Sequence, residues 1–189
     1  LGAAWHDKEH TELGIPFPPT GERFDLLADT VESVTRMPRG DAGSSQASAV
    51  LRSLIAYLRA AVPRLNEPAT TLGQELQLVQ AYLELMHMRM PDRLQFELQA
   101  DTATLGLRCP PMTLLTLVEN AVRHGIDPSE EGGRIDIHVK RRDDRCVVRI
   151  IDTGAGLRES GTGLGTGLST LRERLQLAFG GDAQLCVTA

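Results

Sequence analysis

The sequence has no run of roughly 18 apolar residues, so nothing in it is built to cross a bilayer as a helix. It has no basic excess either: 20 Lys and Arg face 25 Asp and Glu, a net charge of -5. Extended phosphate backbones want a cationic face, so nucleic acid is a poor main partner, although a single nucleotide needs only a local site. Its three cysteines, Cys109, Cys146 and Cys186, are odd in number and far apart, without a Cys-x-x-Cys pair. That argues against a disulfide frame or a zinc site and fits a reducing compartment. The amino terminus lacks the cationic-plus-apolar pattern of a signal peptide. The expected location is cytoplasmic, including the cytoplasmic part of a membrane-anchored protein, since an anchor ahead of Leu1 stays open.

What is present is enough apolar residue, 41% of 189, for one good core, or one core and a smaller helical module. Residues 1–21 show no sustained period and carry Pro16, Pro18, Pro19 and Gly21, the pattern of an arm or linker. His6 and His10 are an i,i+4 pair able to hold a metal, but with no periodic helix around them the plainer reading is better. Phe24 to Met37 suits a helix, Pro38 to Ser45 breaks it, and Ala47 to Val62 resumes it through Val50, Leu51, Leu54, Ile55 and Leu58. Thr71 with Gln74 three residues on is a capping-box arrangement, and it opens what reads as the longest helix, running to about Met90. Met86, Met88 and Met90 near its end fit soft core filling better than a cofactor box. These amphipathic helices form a hairpin over residues 22–91, each stripe needing a neighbour or a second copy to cover it.

From Arg93 the period changes to two. Leu94, Phe96 and Leu98 alternate, then Ile135, Ile137 and Val139, then Val147 to Ile151. Between the first two strands, Pro110 to Gly125 is a helix with an apolar stripe and a cluster of Glu119, Asn120, Arg123 and His124. That cluster is either solvated or binding something. Leu168 to Phe179 suits another helix, and Gln184 to Val187 the start of a last strand. The order predicts an α+β domain over residues 92–189, a two-layer sandwich of helices on a mixed sheet.

Two glycine segments follow the third strand. Asp152-Thr153-Gly154-Ala155-Gly156 ends it, and Gly161-Thr162-Gly163-Leu164-Gly165-Thr166-Gly167-Leu168 leads into a helix. Glycines just before a helix let backbone N–H groups approach an anion, and the helix terminus adds a favourable field. Rossmann and Walker patterns are excluded, because no strand enters the second segment directly and no Lys-Ser/Thr follows it. A strand-terminal Asp can accept from an exocyclic amine, and an Asn on a nearby helix can offer oxygen to a metal on the phosphates. Singly, each feature is common in hinges and turns. In this order the three indicate a nucleotide.

Leu117-Val118-Glu119-Asn120-Ala121-Val122-Arg123-His124-Gly125 resembles the N box of the GHKL ATPase and kinase superfamily. Asp152 to Gly156 resembles its G1 box, and Gly163 to Leu168 its G2 box. Leu72 to Leu76, Tyr82 to Leu85, Arg89, Pro110-Pro111 and Leu171 to Leu175 are similar to LytS/AlgZ-type sensor histidine kinases. The resemblance implies a Bergerat-type ATP-binding domain after a dimerising hairpin, with ATP and Mg²⁺ as cofactors, a homodimer and a response regulator as partner. It implies that Asn120 holds Mg²⁺, that Glu119 aids the metal or phosphoryl transfer, and that Asp152 bonds the adenine amino group. Gly154 and Gly156 shape the base pocket, and Gly163, Gly165, Gly167 and Leu168 admit the triphosphate. Arg123 and His124 are phosphate or ribose neighbours, or equally a solvated Arg and a helix-end cap.

One departure stands out. The phosphorylated histidine of this subfamily lies in a Pro-His-Phe-Leu-Phe-Asn-like segment, and the equivalent stretch here, Arg23 to Thr30, contains no His; Asp25 falls near its position. Thr170 also stands where Asn is usual. Three readings stay open: a degenerate kinase that binds nucleotide, a kinase acting on a non-standard residue or another protein, and a nucleotide-independent scaffold.

Overall fold

The computed structural model describes residues 30–32, 41–62, 68–155 and 166–188. The chain divides into two compact units, Leu1–Arg36 and Met37–Ala189. In the first unit residues 30–32 are helical; His6, His10, Asp25 and most of the expected Phe24–Met37 helix lie outside the described residues. The elements of the second unit are as follows.

Helix α1 (Asp41–Ala61) is, at 21 residues, longer than the helix that follows it. It begins inside the Pro38–Ser45 stretch expected to break it, since Asp, Ser and Gly are favoured in the opening turn of a helix rather than against it. Its buried stripe is Val50, Leu54, Tyr57 and Ala61, whereas Leu51 and Ile55, expected in the same stripe, are exposed. Helix α2 (Leu72–Arg89) opens on the expected capping box: Gln74 N donates to Thr71 Oγ1 (3.3 Å) and Thr71 N to Gln74 Oε1 (3.0 Å). The short strands β1 (Thr70–Thr71) and β3 (Arg108–Cys109) pair antiparallel beside that cap.

Helix α2 is buried on more than one side, through Leu72, Leu76, Val79 and Leu83 as well as Leu78, Tyr82 and Leu85. It packs against α1, against helix α3 (Thr113–Asn120) and against the sheet. Tyr57 and Tyr82 meet with ring centroids 6.0 Å apart, and Ser53 Oγ donates to Met88 Sδ (2.8 Å). Each fully buried Leu on such a helix contributes about 1.5–3 kcal/mol, so α2 is the structural axis of the unit.

The sheet has three strands in the order β2 (Leu94–Ala100), β4 (Gly133–Arg142), β5 (Arg145–Asp152). Strands β2 and β4 are parallel, with Phe96 beside Ile135 and Leu98 beside Ile137. Strands β4 and β5 are antiparallel, with Ile135 opposite Asp152 and Ile137 opposite Ile150. Alternation therefore sends Leu94, Ile135, Ile137 and Val139 into the core and leaves the other face to solvent. Helix α4 (Thr166–Phe179) follows, anchored by buried Leu171. Residues 183–188, the expected last strand, carry no regular structure, because alternation makes a strand only where a neighbour completes the ladder. The result is the α+β arrangement of helices on a mixed sheet.

Gly132 joins the turn before β4 to the end of α2. Its φ is +76°, and a Cβ there would stand 2.1 Å from the Arg93 carbonyl oxygen. Both backbone strain and a clash with rigid backbone follow from adding a side chain. Gly132→Ala is expected to lower unfolding free energy by at least about 2 kcal/mol in urea titration; an unchanged midpoint would contradict this packing.

Candidate functional site

The site is built on the segment beginning at Pro110. Pro110 and Pro111 lead to Met112, whose φ of 62° and ψ of 17° put a non-glycine residue in the left-handed region. Such a conformation persists only where surroundings hold it. Here they do. Glu75, fully buried on α2, accepts from Met112 N (2.8 Å) and Leu114 N (3.0 Å), so one carboxylate takes up two free amides at the start of α3. Arg174 on α4 donates through Nη2 to the Pro111 carbonyl oxygen. Thr113 Oγ1 to Pro110 O (2.6 Å) and Thr116 Oγ1 to Met112 O (2.7 Å) close the turn. Burial raises the Glu75 carboxyl above its ordinary value, while its backbone amide bonds and the Arg174 charge pull the other way. Cys109, a free buried thiol close by, is pushed up to about 12 by burial and then by the Glu75 charge, which makes it inert.

After Asn120 the helix widens into a π-helix, Ala121–Ile126, with Asp127 N bonded to Val122 O (2.8 Å). This helix, expected to stop at Gly125, runs one residue further, to Ile126. π-Segments concentrate at functional sites. Arg93 closes the widened end, donating through Nη2 to the carbonyls of Asp127 (3.0 Å) and Ser129 (2.6 Å), with Ile126 O at 3.3 Å.

Both glycine segments meet this helix. Gly125 and Gly154 touch backbone to backbone: Ala155 N donates to Gly125 O (2.8 Å), and a Cβ on Gly154 would lie 2.1 Å from that same oxygen. A Cβ on Gly125 would lie 2.3 Å from Asp152 Oδ1. Asp152, at the exposed end of β5, is thus seated against the helix, and its Oδ1 accepts from Gly154 N (3.2 Å). Thr153 holds the strand end through Arg134 N to Thr153 Oγ1 (2.9 Å) and Thr153 N to Arg134 O (3.0 Å). On the other side, a Cβ on Gly167 would come within 3.7 Å of Asn120 Nδ2 and 3.8 Å of Thr116 Cγ2. Asn120 Nδ2 donates to Thr116 O (2.7 Å), committing the amide nitrogen to the helix and leaving its oxygen for a cation.

Asn120, Gly125, Asp152, Gly154 and Gly167 are therefore brought together. Glu119 is half-buried beside Asn120, its charge helping to raise the buried Tyr82 hydroxyl, for which burial is the larger cause. Arg123 and His124 are exposed on the π-helix, and Leu168 is half-buried in the first turn of α4. Gly156, Gly163 and Gly165 lie outside the described residues. Among the described residues no three His, Cys, Asp or Glu side chains group to hold a metal by themselves. A single amide oxygen suits Mg²⁺ that arrives on phosphate oxygens and keeps its waters.

A family profile described as "Histidine kinase" matches residues 25–94, and one described as "Histidine kinase-, DNA gyrase B-, and HSP90-like ATPase" matches residues 111–188. A Sensor protein LytS of Oceanobacillus iheyensis is 30% identical over 174 residues, 85% of this chain and 29% of that protein. The chain belongs to the LytS-type sensor histidine kinases. Other members of this family similar to it are the Sensor histidine kinase YesM of Bacillus subtilis, 29% identical over 82% of this chain and 27% of that protein, and the Sensor histidine kinase BtsS of Escherichia coli, 31% identical over 86% and 28%. The chain spans less than a third of the length of these relatives.

The roles of Glu75, Arg93 and Arg174 were missed in the sequence. Glu75 was detectable: with Val79, Tyr82 and Met86 it falls on one buried stripe at helical spacing, an acid where an apolar residue belongs. Glu75→Ala leaves two buried amides unpaired and is expected to cost about 3 kcal/mol in urea unfolding. Because the folded Glu75 carboxyl is raised above 4.5, the stability its protonation contributes is complete below that value and is lost as pH rises through the folded one. Wild type should therefore lose stability relative to Glu75→Gln over that window, and a flat or opposite difference would remove the assigned burial penalty.

Proposed function

We propose that this chain is the ATP·Mg²⁺-binding, cytoplasmic portion of a two-component sensor histidine kinase, degenerate in that its own hairpin lacks the usual acceptor histidine. The observation that carries the reading is the Gly125–Gly154 backbone contact, which seats Asp152 against the helix that bears Asn120. Asp152 accepts from the adenine amino group, and close glycine packing leaves room for a planar ring. Asn120 offers its oxygen to Mg²⁺, with Glu119 beside it, and Gly163, Gly165, Gly167 and the start of α4 receive the triphosphate with backbone amides. Mg²⁺, when bound, neutralises the phosphates; phosphoryl transfer asks the protein for positioning and charge rather than covalent chemistry. The modules are the hairpin at 22–91 and the ATP-binding domain at 92–189. A homodimer through the hairpin is supported by α1: Leu51 and Ile55 are exposed at helical spacing, with Val62 beyond the helix end 56% exposed. A response regulator is the expected downstream partner.

A second reading rests on His87. Its Nδ1 lies 2.6 Å from Leu94 O, so a neutral ring donates there and keeps Nε2 as its free nucleophilic nitrogen at an exposed position of α2. In that reading the chain phosphorylates a non-standard residue.

Titration with ATP by calorimetry is expected to saturate only with Mg²⁺ present, and Asp152→Asn to bind roughly 10–100-fold more weakly. Absence of saturable binding, or indifference to Asp152→Asn, would leave the chain a nucleotide-independent scaffold. With γ-labelled ATP, the degenerate reading expects no acid-labile, base-stable label on the chain; such a label at His87 would replace it with the second.

A further inference from the structure

The solvent face of the sheet is electrostatically divided. At one end Arg134 is paired twice, to Glu97 and to Asp136, so the charges there cancel locally. At the other end His138, Lys140 and Arg142 of β4 face Arg149, Val147 and Arg145 of β5 in strict register. Two of those three rungs set a basic side chain directly against another, His138 on Arg149 and Arg142 on Arg145. Among the described residues none of these basic side chains has an ion-pair partner. Like charges placed opposite each other on antiparallel strands destabilise the pair. A fold that keeps them there, on a chain whose net charge is -5, concentrates cations against its own average.

His138, Lys140, Arg142, Val147, Arg149 and Ile151 line an open cleft of about 270 Å³, and Ile151 is 48% exposed. His138 Nδ1, at the groove wall, is buried without a hydrogen-bond partner. Along this face of β5 the order Arg145, Val147, Arg149, Ile151 alternates cation and apolar group at every second residue, which complements an extended polypeptide whose same-face positions alternate acidic and apolar, a repeat of four residues. The surroundings decide against a bilayer. Glu97 and Asp136 lie on the same face and Asp143 and Asp144 at its hairpin rim, so a flat anionic surface would press carboxylates against headgroups. A narrow segment avoids them.

We propose that this face of β4 and β5 is a docking site for a short acidic segment of a partner protein, its carboxylates held by Lys140, Arg142 and Arg149 and its apolar side chains by Val147 and Ile151. The face lies across the sheet from the helices that carry Asn120, so this site is separate from the nucleotide residues.

The test uses the full 189-residue chain and a fluorescein-labelled peptide of Glu-Ser-Leu-Ser repeats, which shows Glu and Leu alternately on one face when extended, followed by anisotropy at low salt. Saturable binding is expected, weakening with added salt and weakening about tenfold or more in Lys140→Glu/Arg149→Glu. The milder Arg149→Gln should bind at an intermediate level, and its melting temperature should stay level or rise, because removing it relieves the rung with His138. No saturable binding, or equal binding by wild type and the charge-reversed variant, overturns the proposal. So does charge-dependent sedimentation with phosphatidylcholine/phosphatidylglycerol vesicles in place of peptide binding, which would make the face a membrane contact.

Discussion

A single buried carboxylate organises this molecule. Glu75 belongs to the most deeply packed helix and reaches into the start of the helix that carries Asn120. Putting a charge there costs solvation, and burial outweighs the opposing amide bonds and Arg174, raising the carboxyl above its ordinary value. What the arrangement obtains is position. The left-handed Met112 has no low-energy reason to exist in isolation, and Glu75 on one side with Arg174 on the other holds it. Three helices are joined at that turn: α2, α3, and the α4 helix that follows the second glycine segment.

The far end of the same helix is fixed by different means. Arg93 gathers the carbonyls beyond the π-turn, and two glycines touch through bare backbone to bring the end of β5 alongside. Polar bonds to main-chain groups therefore set both ends of the segment, while apolar packing of Val118, Val122 and Ile126 sets its depth. The helix that carries Asn120 and the end of β5 that carries Asp152 meet on the helical side of the sheet. The opposite side, exposed among the described residues, carries its own uneven distribution of charge.

Much of this was legible in the residues because it is local. The Thr71–Gln74 cap, the alternation of Leu94, Phe96, Ile135 and Ile137, and the glycine segments each follow from spacing and stereochemistry over a few positions. What escaped is tertiary. Nothing in the neighbours of Arg93 or Arg174 says which carbonyls they will reach, some 34 or 63 residues away. Leu51 and Ile55 carry the same helical signal as Val50 and Leu54, and only the position of α2 decides which pair is covered. Gln184 to Val187 has strand composition, but a strand is a pairing and not a property of a segment. Asp41 opens a helix where glycine and serine suggested a break, because capping residues and breaking residues overlap.

The π-turn after Asn120 has one more consequence, and it concerns phase. In an α-helix each residue advances the chain by about 100°, whereas winding through i→i+5 bonds advances it by less. The number of residues between Asn120 and Gly125 thus encodes an angle between the Asn120 amide and the surface that meets Asp152. A deletion within Ala121–His124 would let the helix relax to ordinary winding with better hydrogen bonds, yet would swing everything after it to a different bearing. The segment behaves as a fixed-pitch coupling whose information lies in its length as much as in its letters.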